Sequence, residues 1–132
     1  MDGKNNVIYN KKDGVEKTYF KNGGIESEIP YKYGKIVGIV KDYYENGMLK
    51  TEAEFKDGRP DGLVKEFDED GKPCIEGRFK QGVMDGQGLY YSELGKLNLK
   101  VTYINGKFLK AEVYSPEGKL TRVITAAGTE RK

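Results

Sequence analysis

The chain has 132 residues, which is enough for one domain, and 33% of them are charged while 36% are hydrophobic. Its 23 basic and 21 acidic residues are interspersed and leave a formal net charge of +2. This balance argues against a nucleic-acid-binding protein. An aromatic content of 11% argues against a disordered chain. No run of residues approaches the ~20 apolar residues of a membrane-spanning helix.

Few residues suited to catalysis or to metal binding are present. The chain has no histidine, which removes the commonest general base and metal ligand. Cys74 is the only cysteine, so no internal disulfide can form and the redox compartment stays open. We expect neither an enzyme nor a protein with a cofactor or a metal ion. Residues 1–6 lack the apolar core of a secretion signal, so we expect a cytoplasmic protein, or an exported one if a leader has been removed upstream of Met1.

A period of 24 residues organises the sequence. The glycines that follow it are Gly14, Gly38, Gly62 and Gly86; Gly23, Gly47, Gly71 and Gly95; and Gly34, Gly58, Gly82 and Gly106. The aromatic residues that follow it are Tyr19, Tyr43, Phe67 and Tyr91, then Tyr31, Phe55, Phe79 and Tyr103. Such self-similarity predicts a repeat architecture. The predicted domain is a single one over 1–132, with units at about 14–37, 38–61, 62–85 and 86–109, partial units at 1–13 and 110–125, and a tail at 126–132.

In chain order, each unit reads as two short strands and two turns. Residues 7–9 are consistent with a strand before unit one, whose strands are predicted at 15–20 and 25–31. Unit two has strands at 39–44 and 48–55, joined by a three-residue loop in which Asn46–Gly47 is a strong hairpin signal. A longer turn over 56–62 follows, rich in residues that favour positive φ or fix φ.

The later units vary the pattern, and the period is broken after Gly106. Unit three has Asp70–Gly71 as its hairpin signal, and unit four has the most apolar second strand, with Leu97, Leu99 and Val101. One residue is missing from the period after Gly106, and the final unit is expected to cap the sheet. Residues 126–132 are expected to fray.

The alternation of residue types predicts a one-sided sheet. The cross-strand pairs expected in unit two are Tyr43–Leu49, Lys41–Thr51 and Ile39–Ala53, all on one face. The opposite, polar face would carry Lys50, Glu52 and Glu54. Because 24 is an even number, stacking the units keeps each face constant.

Two stretches carry a resemblance to a known family. They are Gly-Leu-Val-Lys-Glu-Phe at 62–67, and Tyr-Tyr-Glu-Asn-Gly-Met-Leu-Lys at 43–50 followed by Phe-Lys-Asp-Gly at 55–58. The chain resembles the bacterial variant of the MORN repeat (membrane occupation and recognition nexus), in four copies over about residues 14–120 with a partial copy at each end. The resemblance implies an all-β fold, an elongated single-layer antiparallel β-meander of repeated hairpins with a grooved face lined by aromatic residues.

The same resemblance implies a function in binding. Members of the family are mostly scaffolds or binding modules; some bacterial members are described as antitoxins, and eukaryotic relatives are associated with phospholipid membranes or partner helices. No catalytic residue belongs to the repeat, and none is carried over. Unit four departs from the pattern at Leu89, which stands where the other units have lysine.

Two groups of residues are candidates for binding. Lys17, Lys41 and Lys65 recur at the repeat spacing and could meet an acidic partner or anionic headgroups, although their alkyl stems could instead cover aromatic rings. The aromatic residues that break the repeat could be exposed interface anchors, although single exposed tyrosines are common without a function. These aromatic residues are Phe20, Tyr33, Tyr44 and Tyr90.

The sequence therefore predicts a non-enzymatic protein–protein interaction module. Its leading version is an antitoxin-like or immunity-like protein, and the alternative is a peripheral membrane or envelope-associated scaffold that binds anionic lipid. We expect a protein partner and no nucleic acid, with membrane contact not favoured, and a monomer or a weak edge-to-edge dimer.

Overall fold

The computed structural model describes residues 13–126 and 128–131, and these residues form β-strands and turns. The strands are β1 (Gly14–Tyr19), β2 (Ile25–Lys32), β3 (Lys35–Ile36), β4 (Gly38–Tyr43), β5 (Leu49–Lys56), β6 (Arg59–Phe67), β7 (Pro73–Lys80), β8 (Val83–Met84), β9 (Gly86–Tyr91), β10 (Leu97–Ile104), β11 (Lys107–Tyr114), β12 (Leu120–Thr125) and β13 (Gly128–Arg131). No helix in this described part is long and apolar enough to cross a membrane.

The strands form one open antiparallel sheet in meander order, β1-β2-β4-β5-β6-β7-β9-β10-β11-β12-β13. The two-residue strands β3 and β8 pair with β2 and β7. Each is separated by one residue, Val37 or Asp85, from the strand that follows, whereas β6 runs unbroken through the corresponding positions. The prediction of an all-β, single-layer antiparallel meander is confirmed.

The first kind of turn in each unit is the predicted three-residue loop. In unit two the Tyr44 N–H donates to the Met48 carbonyl at 2.8 Å, and the Gly47 N–H donates to the Tyr44 carbonyl at 2.9 Å. Gly47 has φ of 92°, in the left-handed region that glycine adopts without strain. The same two bonds close the turns at 20–24, 68–72, 92–96 and 115–119, so the final hairpin keeps the geometry of the others.

The second kind of turn differs from the prediction. The longer turn expected over 56–62 is wrong, because Asp57 and Gly58 alone make the connection, with φ of 54° and 81°. Two successive positive φ values are typical of the type I′ turn, whose twist matches that of the strands on either side. The strand β6 therefore begins immediately, at Arg59.

These tight turns are joined from one unit to the next. The Gly58 N–H donates to the Ile36 carbonyl at 2.9 Å, and the Gly82 N–H donates to the Pro60 carbonyl at 2.8 Å. The Gly106 N–H repeats the contact with Met84, at 2.6 Å. Along one long edge of the sheet, each of these tight turns is thus held by a main-chain hydrogen bond to the strand that follows the preceding tight turn.

A register shift in each three-residue hairpin decides which residues share a face. Tyr43 lies opposite Leu49 as predicted, but the register shifts between Asp42 and Tyr43 because β5 contains one extra residue. The pairs beyond the shift are Lys41–Glu52, Asp42–Thr51, Val40–Ala53 and Ile39–Glu54. The predicted pairs Lys41–Thr51 and Ile39–Ala53 are therefore wrong.

The predicted assignment of residues to the two faces is wrong for the same reason. Directly opposed residues of an antiparallel pair point to the same face. We call the face that carries Lys41 and Glu52 the ladder face, and the face that carries Val40 and Ala53 the core face. The glutamates that were predicted to lie on the other face of the sheet from the lysines lie on the same face as them. The aromatic residues at the positions of Tyr43 and Phe55, predicted to share a face, lie on different faces.

The core face has little cover. Val101 and Ala111, each 6% exposed, are the buried hydrophobic residues of the described part, and both lie on this face. No large side chain of residues 13–126 is completely buried. The glycines Gly77 and Gly88 are also buried, because the side chains of Phe79, Tyr90 and Met84 lie across them.

The sheet also extends beyond its predicted end. Residues 128–131 pair with β12 as the strand β13, so the prediction of a frayed tail at 126–132 is wrong for them. A strand at the sheet edge needs main-chain partners on one side only, and the polar sequence of β13 gives no apolar alternation to signal it. Residues 127 and 132, and the strand predicted at 7–9, lie outside the described residues.

Candidate binding surfaces

The lysines predicted as a ladder lie in a row that alternates in charge. Crossing the sheet along the ladder face, directly opposed residues are Lys17, Glu28, Lys41, Glu52, Lys65 and Glu76. Lys41 and Lys65 each lie between two glutamates. Cross-strand pairs of opposite charge contribute about 0.2–1 kcal/mol each to sheet stability. The row is therefore a neutral, stabilising feature and not a basic stripe.

Both carboxylate oxygens of Glu28 interact with side chains of neighbouring strands. Its Oε2 lies 3.8 Å from Lys17 Nζ, and its Oε1 accepts a 2.7 Å hydrogen bond from the Tyr43 hydroxyl. This hydrogen bond, together with burial, raises the pKa of Tyr43 to about 12. The carboxylate is thus held by two neighbouring strands.

The alternation ends at Leu89, which is opposed by Glu76 on one side and Lys100 on the other. Lys100 in turn lies opposite Glu112, and its Nζ is 5.8 Å from the centre of the Tyr114 ring. The position where unit four departs from the repeat is therefore an apolar interruption of a charged row.

Two of the four off-pattern aromatic residues, Phe20 and Tyr44, are half-buried at the first position of a turn. The Tyr44 hydroxyl donates to the Phe67 carbonyl at 2.7 Å, and Lys50 Nζ lies 5.6 Å from the ring centre. Burial raises the pKa of Tyr44. Tyr44 links units two and three, which gives this residue a structural role.

The residue at the first turn position determines which side chain accepts a main-chain hydrogen bond within the turn. In units one and two it is aromatic, and the asparagine two residues later accepts a main-chain bond: Asn46 Oδ1 from the Met48 N–H at 2.9 Å. In unit three Asp68 Oδ1 accepts from the Asp70 and Lys72 N–H groups, both at 2.9 Å. These bonds, that from Lys72 above all, lower the pKa of Asp68. The Ser92 and Ser115 hydroxyls accept main-chain N–H groups in the same way in the last two turns. The residue at the third position of these two turns therefore does not have to accept a main-chain hydrogen bond.

Tyr33 is the exposed member of the off-pattern group. Its side chain is 68% exposed, and its φ of 52° places a bulky residue in the left-handed region. The corresponding positions of the other tight turns hold Asp57, Gln81 and Asn105. The Tyr33 N–H donates to Asp13 Oδ1 at 2.7 Å, and Lys32 Nζ lies 5.6 Å from its ring centre. The turn itself does not require an aromatic side chain here.

Tyr90 lies on the core face and is half-buried. Its ring lies across Gly88, with Cε1 about 3.6 Å from where a Cβ of that glycine would be. Burial, and then the neighbouring Tyr103, raise the pKa of Tyr90. Tyr90 is therefore part of an apolar region that it shares with Ile75 and Leu99, the residues opposite it.

A cleft that was not predicted from the sequence lies between the last two three-residue turns. Two adjoining cavities of about 350 and 390 Å³ share Lys96, Leu97 and Pro116 as walls. Leu94, which is 77% exposed, lines the first cavity, and Lys96 Nζ donates to the Pro116 carbonyl at 3.4 Å. We call this site the C-terminal cleft.

A signal for the cleft was present in the sequence. Leu94 occupies the third turn position, where the other turns have Asn22, Asn46, Asp70 and Glu117. A large apolar residue is out of place at a solvent-facing turn position, and only comparison between the turns makes it conspicuous. Among the residues that the structure describes, no group of three or more potential metal ligands occurs.

Comparison with known proteins agrees with this repeat geometry. The model of the MORN repeat variant family matches residues 12–33, 36–57, 60–81 and 84–105, which is more than half of the chain. The chain belongs to the MORN repeat variant family. The family predicted from the sequence is thereby confirmed, and a repeat-based binding module is the function that MORN repeats indicate. The C-terminal cleft forms where the last matched MORN repeat meets the hairpin that follows it.

Two solved structures are similar to this MORN repeat chain at low identity. Accessory secretory protein 1, 2 and 3 of Streptococcus pneumoniae matches with 15% identity and a TM-score of 0.45, over 90% of this chain and 20% of that one. The glycosylation associate protein complex of Streptococcus agalactiae matches with 18% identity and a TM-score of 0.46, over 83% of this chain and 20% of that one. The chain thus spans about a fifth of the length of each. Curated protein sequences give no match.

Proposed function

We propose that the chain is a non-enzymatic protein-binding module of the antitoxin-like or immunity-like kind, which neutralises a partner protein by covering it. The observation that carries this proposal is the uncovered sheet. A β-sheet normally packs a second layer on its apolar face, yet Val101 and Ala111 are the buried hydrophobic residues of the described part. Exposed apolar surface of this kind is typical of sites that bind other proteins.

The C-terminal cleft is the place where we expect the partner to anchor. Each of its two cavities lies within the range of ~300–1,000 Å³ that is usual for binding pockets. Leu94, Leu97 and Pro116 give it apolar walls, and a partner side chain seated there would be a hot spot of the interface. Lys96 Nζ joins the two turns by donating to the Pro116 carbonyl.

Three of the titratable groups with a displaced pKa support a non-enzymatic function, because their hydrogen bonds serve the fold. The Asp68 carboxylate completes its own turn, the Tyr43 hydroxyl binds Glu28, and the Tyr44 hydroxyl binds a carbonyl of the next unit. Lipid binding rested on Lys17, Lys41 and Lys65 as a basic stripe. Since glutamates stand opposite all three, we do not propose this alternative.

The test is binding between the purified chain and the purified product of the neighbouring gene, with Leu94→Asn as the decisive variant. This substitution installs the residue that units one and two have at the same turn position, so the turn should persist. We expect the affinity to fall by a factor of about ten or more, as for loss of an interface anchor.

Asp70→Asn makes the same replacement in the turn of unit three, away from the cleft, and should leave the affinity unchanged. A neighbouring gene product that does not bind the native chain would count against the antitoxin-like proposal. Equal affinities of the native and Leu94→Asn chains would show that the partner binds elsewhere.

A further inference from the structure

A row of directly opposed residues on the core face changes in character along the sheet. It crosses ten strands in the order Thr18, Ser27, Asp42, Thr51, Glu66, Ile75, Tyr90, Leu99, Val113 and Arg122. The half from β1 to β6 is polar, and the following four residues are apolar. We call Ile75, Tyr90, Leu99 and Val113 the apolar block.

The apolar block is bounded by opposite charges. Glu66, exposed, precedes it on β6, and Arg122, also exposed, follows it on β12. In the neighbouring row of the core face, Gly77 and Gly88 lie under the side chains of Phe79, Tyr90 and Met84, so these larger side chains form the surface beside the apolar block. The order along the row is thus acidic, four apolar, basic.

If the same row is laid against a second copy in the reverse direction, acidic meets basic and apolar meets apolar. We propose that a second copy of the chain covers the apolar block in this way. The two copies are related by a two-fold axis that lies midway between the two sheets, runs parallel to the strands and passes between β9 and β10. The axis places Glu66 opposite Arg122 of the second copy, Ile75 opposite Val113, and Tyr90 opposite Leu99. Every contact occurs twice, as in any two-fold symmetric interface. The inference goes beyond the proposed function, because it concerns a copy of the chain and not a foreign protein.

The charges also select this axis over the alternative. A two-fold axis that runs along the row would place Glu66 opposite Glu66 and Arg122 opposite Arg122. Like charges held face to face across an interface are strongly unfavourable. Only the axis parallel to the strands pairs each carboxylate with a guanidinium.

The dimensions fit such a contact. Face-to-face sheets lie ~10 Å apart, a gap that a glutamate and an arginine side chain reaching toward each other can span. Six strands at ~4.8 Å and three rows of side chains at ~7 Å give roughly 600 Å² of contact per copy. Stable complexes bury about 800 Å² per partner, so we expect a dimer that dissociates on dilution.

The experiment measures the dimer dissociation constant by sedimentation velocity over about three orders of magnitude in concentration. Glu66→Arg and Arg122→Glu should each weaken the dimer by a factor of about ten or more, because each places like charges opposite one another twice. The double variant Glu66→Arg/Arg122→Glu restores complementarity and should return the constant to within about threefold of the native value.

Two controls separate this interface from other effects. Glu69→Arg makes the same charge change in a turn and should leave the constant unchanged, as should Leu94→Asn in the C-terminal cleft. A monomer at every concentration would overturn the inference, and so would a dimer that is insensitive to both single reversals. If the single variants dimerised weakly because they misfolded, the double variant would not regain the native dissociation constant. The partner is tested at the C-terminal cleft by Leu94→Asn, and the dimer is tested by Glu66→Arg and Arg122→Glu, so the two proposals can fail separately.

Discussion

The N-terminal and C-terminal halves of the sheet have the same backbone geometry but different surface residues. Both halves repeat the same turns, the same positive-φ glycines and the same register shift beside the three-residue loops. On the ladder face, charges alternate up to Glu76 and stop at Leu89; on the core face, the polar residues end at Glu66 and the apolar block begins. The repeat thus fixes the scaffold, and departures from it distinguish one surface region from another.

The largest expected effect concerns a glycine of the shared scaffold in two settings. Gly62 has φ of 117°, and a Cβ there would collide with the Glu54 carboxylate, whose Oε1 accepts the Leu63 N–H at 2.8 Å. Gly14, at the same repeat position with φ of 106°, has open space around it. We expect Gly14→Ala to lower the free energy of unfolding by about 1–2 kcal/mol from backbone strain alone. Gly62→Ala should lower it by about 2–3 kcal/mol, because the displaced Glu54 side chain also loses its hydrogen bond to Leu63.

Urea denaturation of both variants gives the comparison. Equal losses would mean that the Glu54 carboxylate moves aside without cost, and that the crowding at Gly62 has no energetic weight.

The second prediction compares the packing of the core face in the two halves. Val101 is 6% exposed in the C-terminal half, whereas Val40 is half-buried in the N-terminal half. Removing two methyl groups should cost about 1–2 kcal/mol at Val101 and about 0.5–1 kcal/mol at Val40. Thermal denaturation of Val101→Ala and Val40→Ala measures the difference, and a larger loss at Val40 would contradict the assignment of the better-packed half.

The third prediction concerns tyrosines at one repeat position. The Tyr43 hydroxyl donates to Glu28, whereas the pKa of Tyr91 is raised by burial first and then by Glu76, without a hydrogen bond. Tyr43→Phe should cost about 1 kcal/mol, since a hydrogen bond to a charged group is lost at a partly exposed site. Tyr91→Phe should stay within about 0.5 kcal/mol.

The pH dependence of Tyr43 follows from the same hydrogen bond. The folded-state pKa of about 12 lies above the ordinary value of 10.0. The contribution of the neutral hydroxyl is therefore complete below pH 10 and is lost as the pH rises toward 12. Ultraviolet titration should show one tyrosine that ionises last, and this late step should be missing from Tyr43→Phe; its persistence there would assign it to another residue.

The smallest effects are expected along the charged row. Lys41 lies between Glu28 and Glu52, so Lys41→Ala removes two favourable pairs and should cost about 0.5–1 kcal/mol, less at high salt. Leu89→Lys adds one favourable and one unfavourable neighbour, Glu76 and Lys100, and should stay within about 0.5 kcal/mol. Urea midpoints at low and high salt test both, and salt-independent values for Lys41→Ala would argue against electrostatic pairing.

The sequence was sufficient for the architecture because the turns depend on local signals. Asn46–Gly47 and Asp57–Gly58 are short-range determinants of hairpins, and the even period of 24 residues keeps each face constant from unit to unit. The faces themselves were not predictable from alternation alone. One extra residue in β5 shifts every pair beyond Tyr43–Leu49, so that Lys41 lies opposite Glu52 and not opposite Thr51. No particular residue type marks such a bulge in the sequence.

The candidate site was only partly predictable for a related reason. Tyr33 and Tyr90 were singled out because they break the repeat, but their surroundings, a solvent-exposed turn and a glycine on the core face, depend on strand pairing. Leu94 broke the repeat equally clearly in a turn, where an apolar residue is easily dismissed. The C-terminal cleft also needs Pro116, which lies beyond the last family match.

The main-chain hydrogen bonds that join a tight turn to the preceding unit have a consequence for hydrogen exchange. Turn tips usually exchange their amide protons quickly, because water reaches them without any opening of the fold. The Gly58, Gly82 and Gly106 amides are instead bonded to the preceding unit, so each exchanges only when that contact opens. We expect these three amides to be protected like those of the central strands. Their protection factors would report how strongly the opening of one unit is coupled to the next along the whole molecule.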